Sequence, residues 1–200
     1  NKNAEDFKID RTEDKNFDSW ENFIPPKDET LIGGLTFLKN WIIRSEVSNA
    51  LGKIFIRNLK TNTEEELIFS EEKVYDGGVS LIQKDRDTDL IHISYSTPKT
   101  QSRVYLYNLK TKEKKLVKEQ IIPSGHSPNN YIVERLECES HDGRKIPITI
   151  IRNKKTKIDG NAKLLLYGYG SYGNSMSPGF SSTKLSLIDR DIIWVTAHVR

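Results

Sequence analysis

The tetrapeptide Asn-Leu-Lys-Thr occurs twice, beginning at Asn58 and again 50 residues on at Asn108. Each copy has the same surroundings. Apolar and polar residues alternate ahead of it (Ile54, Ile56; Val104, Leu106), and a second short strand-like run follows it (Leu67 to Phe69; Leu116 to Val117). Period-two alternation interrupted by a polar turn reads as a β-hairpin. A hairpin cannot bury its faces alone, so one that recurs at this spacing constrains the chain to an architecture of repeated small sheets. Further strand candidates run from Leu35 to Arg44, Val79 to Gln83 and Leu90 to Tyr95, separated by Gly33-Gly34, Gly77-Gly78 and Asp85-Arg86-Asp87. Four short strands per ~40–50 residues predict the blades of a β-propeller, incomplete here at about two to three. A β-sandwich is the competing architecture on periodicity alone.

After Pro123-Ser-Gly-His-Ser-Pro128 the pattern changes. Tyr131 to Glu139 reads as a strand, Asp142-Gly143 as its turn, and the alternating Ile146, Ile148 and Ile150 as the return strand. The runs Leu164-Leu165-Leu166 and Ile192-Ile193-Trp194-Val195 are continuously apolar, as in strands buried on both faces of a parallel sheet. Between them, Ser181-Ser182-Thr183 offers a helix N-cap, with Leu185 and Ile188 on one helical face. Hairpin, strand, glycine turn, helix, strand is the order in which an α/β-hydrolase sheet opens. The expected organisation is therefore 1–130, the C-terminal part of a propeller, and 131–200, the N-terminal part of a hydrolase domain.

Charge and composition narrow the function classes. No apolar run approaches the ~18 residues of a membrane helix, so no membrane span is expected. The single cysteine, Cys138, cannot build a disulfide framework, and the four histidines show no zinc spacing. A reducing, cytoplasmic setting is the inference. The chain opens without methionine and its only Met is Met176, so an intact translation start is not expected at Asn1. Lys99 to Lys118 carries seven Lys/Arg against Glu113 alone. This basic stretch and Arg144 to Lys157 raise nucleic-acid binding as one class. Several of the lysines lie in Asn-Leu-Lys-Thr-Lys-Glu-Lys-Lys, a solvated turn with no aromatic stacking motif, and no nucleic-acid partner is expected.

The glycine turn Leu-Tyr-Gly-Tyr-Gly-Ser-Tyr-Gly carries the candidate chemistry. Gly168, Gly170 and Gly173 satisfy G-x-G-x-x-G, and Asp189 lies 21 residues after Gly168. A dinucleotide site also needs a helix to start within the turn, so that its amides meet the pyrophosphate. Asn-Ser-Met-Ser-Pro178-Gly179 follows instead. A nucleophile elbow is excluded as well, because the residue two before Ser171 is Tyr169 rather than a small one. Ser171 reads as a turn residue. What remains is a backbone-rich loop at a strand's C-terminal end, where hydrolases collect oxyanion donors. Such donors are worth about 2.7–4 kcal/mol each. Tyr169 or Tyr172 could aim a phenol at the reacting oxygen; packing or turn roles for both are the alternative.

Three stretches carry a family resemblance: "ISYSTPKTQSRVYLYNLKT", "YIVERLECESHDGRKIPITI" and "LLLYGYGSYGNSMSPGFSSTKLSLIDRDIIWVTAHVR". They resemble the prolyl oligopeptidase family, and within it the oligopeptidase B branch. The resemblance implies a propeller capping an α/β-hydrolase domain, with a Ser-Asp-His triad that cleaves short peptides after basic residues. It implies no metal or organic cofactor. By position, Tyr169 matches the tyrosine whose hydroxyl helps to form the oxyanion hole, and Tyr172 an aromatic lining the primary specificity pocket. Asp191 stands where the family usually has glycine, which predicts a small local cost in a left-handed position.

In the family the nucleophile, the acid and the histidine all lie downstream of the strand ending near His198. His198 does not match the catalytic histidine and reads as a strand-end residue. A segment of a serine oligopeptidase, its partner the downstream half of the hydrolase domain, is the first reading. A non-catalytic remnant or binding module is the alternative. Loss of a triad nucleophile costs about 10⁶-fold in kcat, so these 200 residues alone are expected to be inactive.

Overall fold

In the computed structural model, which describes residues 3–13, 17–69, 72–82 and 86–199, both Asn-Leu-Lys-Thr segments form the turn of an antiparallel hairpin. The two turns share one chemistry. Asn58 Oδ1 accepts the backbone N–H groups of Lys60 (2.9 Å) and Thr61 (3.3 Å), and Asn108 Oδ1 those of Lys110 (2.9 Å) and Thr111 (3.0 Å). Asn62 (φ 53°) and Lys112 (φ 64°) then turn the chain through the left-handed region. The side-chain amide replaces the backbone acceptor that a tight turn lacks.

The chain divides into two compact units, Asn1–Leu67 and Ile68–Arg200. In the first, β1 (Ile9–Arg11) pairs with β2 (Glu21–Ile24), and β3 (Thr30–Phe37), β4 (Trp41–Ser48), β5 (Leu51–Asn58) and β6 (Thr63–Glu66) form a sequential antiparallel meander. Its core is the aliphatic face of Ile43, Ile54 and Ile56. In the second, β7 (Asp76–Leu81), β8 (Leu90–Ser96), β9 (Arg103–Asn108) and β10 (Lys114–Glu119) repeat the meander. Ile91, Ile93 and Tyr95 alternate inward along β8, and Leu109, just after β9, is fully buried as well. The repeated hairpin is the third-to-fourth strand connection in both.

Several expected boundaries shift. Leu35 to Arg44 is two strands, β3 and β4, joined at Leu38, whose amide bonds the Trp41 carbonyl at 2.9 Å. The glycine pairs sit inside strands instead of between them. Gly33-Gly34 lies at the bulge of β3, between Ile32 and Leu35. Gly77 lies in β7, where a Cβ would stand 2.8 Å from the ring of Phe69. These glycines serve close packing, a demand that chain punctuation does not reveal. Leu67 to Phe69 follows β6 outside any strand, with Leu67 and Phe69 buried and Ile68 exposed, whereas Leu116 and Val117 lie within β10. Gln83 and Asp85, read as a strand end and a turn, lie outside the described residues.

The second unit continues into a mixed sheet of order β11-β12-β14-β13, built from β11 (Tyr131–Glu139), β12 (Lys145–Asn153), β13 (Lys163–Gly168) and β14 (Ile192–Ala197). The hairpin β11–β12 is antiparallel, and β13 runs parallel to β14 through the helix α1 (Ser182–Ile188). Leu185 and Ile188 of α1 pack with Tyr131 and Ile151, as the helical spacing predicts. The more buried residues of β12 include Thr149 and Ile151, with Ile148 and Ile150 only half-buried. Leu164-Leu165-Leu166 is not buried on both faces: Leu164 is 58% and Leu166 64% exposed. Leu164 and Leu166 share the face of β13 opposite to the one that Leu165 shares with Trp194 and α1, and at this edge strand that face is open to solvent.

Candidate active-site loop

The loop leaves the sheet at Gly168, which stands opposite Ala197 in the parallel ladder of β13 and β14. Gly170 precedes a single 3₁₀ turn, Ser171–Gly173, in which Tyr172 (φ 59°, ψ 29°) and Gly173 (φ 69°) are both left-handed. A left-handed tyrosine costs about 1–2 kcal/mol. Backbone strain of this kind collects where a loop is shaped for a ligand. The turn throws Tyr172 into solvent, 93% exposed, and leaves Tyr169 at 41%. The two phenols are neighbours along one turn and both reach the surface.

No α-helix opens within this turn. Residues 174–181 run without helical structure, past Pro178-Gly179, and α1 starts only at Ser182. The glycine pattern therefore lacks the helix amides that a dinucleotide pyrophosphate needs. Asp189, the acidic residue of that pattern, is committed elsewhere: its Oδ1 accepts the Tyr131 hydroxyl at 2.8 Å and Asn153 Nδ2 at 3.4 Å. Burial, and then this bond to Asp189, pushes the Tyr131 phenol up to about 12. Ser171 is exposed in the 3₁₀ turn, its carbonyl accepting the Asn174 amide.

The return of the loop is held by a chain of hydrogen bonds that sequence reading did not find. His198, the residue after β14, is 2% exposed. Its Nδ1 lies 2.5 Å from the Met176 carbonyl, and its Nε2 lies 2.7 Å from Thr149 Oγ1. A carbonyl only accepts, so Nδ1 carries the proton. Thr149 Oγ1 receives Arg135 Nη1 at 2.6 Å and gives its own proton to Nε2. Burial, with Arg135 and Lys184 nearby, holds the His198 pKa below its usual value despite the Met176 carbonyl. The imidazole is neutral, and each of its nitrogens is used.

A second anchor follows. A Cβ on Gly179 would stand 3.0 Å from Asp76 Oδ2 and 3.3 Å from Ser96 Oγ, so glycine lets the loop lie against β7 and β8 without displacing those side chains. The Phe180 amide donates to Ser96 Oγ at 3.4 Å, and its ring meets His126 edge-on at 5.2 Å. His126 Nε2–H donates in turn to the Lys99 carbonyl at 2.6 Å. Asp191 is left-handed (φ 62°), as its place after Asp-Arg predicts, and its Oδ1 accepts the Thr156 hydroxyl at 3.2 Å.

Other candidate sites are poorer. A polar cleft of about 620 Å³ is lined by His126, Tyr131, Asn153, Lys155 and Asp189 among others, and no residue of the tyrosine loop contributes to it. Among the described residues, no three His, Cys, Asp or Glu side chains converge as metal ligands, and no helix is long and apolar enough to cross a membrane. Within the basic stretch, Lys99 pairs with Glu72, Arg103 with Glu119, and Lys114 bonds the Phe69 carbonyl. Cys138 is exposed on β11.

Residues 1–120 match the family model described as the N-terminal β-propeller domain of prolyl oligopeptidase. Dipeptidyl aminopeptidase BI of Pseudoxanthomonas mexicana is 33% identical over 182 residues, covering 90% of this chain and 25% of that protein. Protease 2 of Moraxella lacunata is 26% identical over 200 residues, covering 100% of this chain and 28% of that protein. Among solved structures, oligopeptidase B from Trypanosoma brucei with covalently bound antipain superposes with a TM-score of 0.81 at 29% identity, over 88% of this chain and 26% of that one. The chain thus spans roughly a quarter of the length of the relatives it matches.

Proposed function

The chain belongs to the prolyl oligopeptidase family, and from that premise we propose that it is a segment of a serine oligopeptidase that hydrolyses short peptides after Arg or Lys. Residues 1–130 are the C-terminal part of the propeller, about two to three blades, and 131–200 open the α/β-hydrolase domain. Tyr169 donates its phenol O–H to the oxyanion of the tetrahedral intermediate, and Tyr172 lines the pocket for the substrate side chain. The nucleophile, acid and base come from the downstream half of the hydrolase domain. The serine attacks the scissile carbonyl and gives its proton to the base, Tyr169 and a backbone amide hold the negative oxygen, the amine leaves with that proton as the acyl-enzyme forms, and water then releases the acyl group. The partners are peptide substrates and that downstream half. The observation that carries the reading is the position of Tyr169, partly exposed in a glycine turn at the C-terminal end of β13.

The test is Tyr169→Phe in the native gene product. Removing one oxyanion donor lowers kcat by about 10²–10³-fold. Circular dichroism and the melting temperature should stay at their wild-type values, since the phenol is at the surface. An unchanged kcat sinks the assignment. The intact mass of the native product decides the alternative: a mass near the 23.0 kDa of this chain would leave a remnant without triad chemistry.

A further inference from the structure

The tyrosine loop starts and returns at adjacent residues of one strand end. Gly168 pairs with Ala197, and the next residue, His198, bonds the Met176 carbonyl. Residues 169–175 are thus an arc closed at its base, built on one backbone ladder and one imidazole. Without the imidazole the next anchor is the buried Pro178, followed by Gly179 against Asp76 and Ser96, and the free arc lengthens to 169–177. A longer arc holds its tip less firmly, because loop freedom grows with the number of unpinned residues.

We propose that His198 is a positioning residue for this arc: neutral, and fixed by Thr149 and Arg135, it clips Met176 and so sets the direction in which Tyr169 presents its phenol. The inference rests on the reading of Tyr169 as oxyanion donor. The histidine is suited to the role because both of its nitrogens are satisfied in one tautomer only. The surroundings oppose a second proton, with Arg135 of β11 and Lys184 of α1 both positive and Thr149 of β12 already receiving Arg135. Met176 contributes only its backbone carbonyl, so a side-chain change there leaves the clip intact.

Two variants of the native product test this, read by amide hydrogen exchange over residues 169–177 and by steady-state kinetics. His198→Phe keeps a ring but loses both bonds. It should speed exchange in the arc about tenfold or more while β14 stays protected, and lower kcat about 10–100-fold with a smaller change in KM. His198→Asn keeps a donor for Met176 and should restore most of both. Unchanged exchange in His198→Phe overturns the clip, and a loosened arc with wild-type kcat overturns the positioning role. If His198→Phe fails to fold, His198→Gln, which can reach Thr149 but not the Met176 carbonyl, takes its place, and unchanged exchange in that variant overturns the clip. Tyr169→Phe separates the two readings. It should lower kcat with the arc still protected; if kcat is unchanged, the oxyanion reading fails and the exchange result stands by itself.

Discussion

At Arg44 the chain buries a guanidinium in the middle of β4, next but one to an equally buried carboxylate, Glu46. Arg44 Nε donates to Glu46 Oε1 at 2.8 Å, and its two terminal nitrogens grip Glu64 of β6 at 2.9 and 3.0 Å. Lys27 reaches both oxygens of Glu46, Arg57 adds a bond to Glu64, and the Arg44 plane lies over Phe55 at 4.7 Å. Such a set is costly to desolvate and more costly to break, since removing one member strands the rest. Arg44→Met should therefore destabilise the first unit by about 3–5 kcal/mol, measured by chemical denaturation. Glu64 adds a pH dependence. Burial raises its pKa, but the Arg44 hydrogen bond and the charges of Arg44 and Arg57 outweigh burial and lower it. A lowered folded pKa contributes stability above the ordinary carboxylate range that is lost as pH falls through the folded value. Glu64→Gln should be less stable than the wild type at neutral pH, and the two should converge as the pH drops below about 4.

The twin turns are the unit that repeats at the scale of elements. Asn58 and Asn108 each accept two backbone amides with nearly the same distances, so the two substitutions to alanine should cost the same, about 1–2 kcal/mol each. They share no partner, and the double variant should lose the sum, within about 0.5 kcal/mol. A marked inequality in urea melts would mean that the turns are alike in sequence only. These hairpins were legible because turn chemistry is local: an amide side chain meets its partners two and three residues on. The tyrosine turn was legible for the same reason. The glycine pairs were misread as breaks because their purpose is to face Ser45 and Phe69, which are distant in sequence. The His198 clip was likewise hidden, since Thr149 and Arg135 reach it only after β11, β12 and β14 have paired. Sequence reading placed His198 correctly at a strand end and could not say what its ring was for.

For the whole molecule the decisive feature is the outer side of β13. The Leu164-Leu165-Leu166 run predicts a strand covered on both faces, yet Leu164 and Leu166 stand open at the sheet edge. The composition of the strand is that of an interior one. That mismatch fits the proposal that further strands of a longer hydrolase domain lie beyond it, in a family whose matched members are about four times as long. An apolar edge with unpaired amides and carbonyls is a template for pairing with another chain. The 200-residue chain expressed by itself should therefore self-associate, and sedimentation velocity should show species beyond the monomer that grow with concentration. Leu166→Lys should reduce that association, because charge on an exposed edge opposes strand pairing. Its effect on the monomer's own stability should stay within about 0.5 kcal/mol, as for other surface changes. If the wild-type chain is monodisperse, β13 needs no cover and its apolar run has some other cause. If it associates and the lysine has no effect, the sticky surface lies elsewhere, and the exposed Ile121 after β10 is the next place to put the charge.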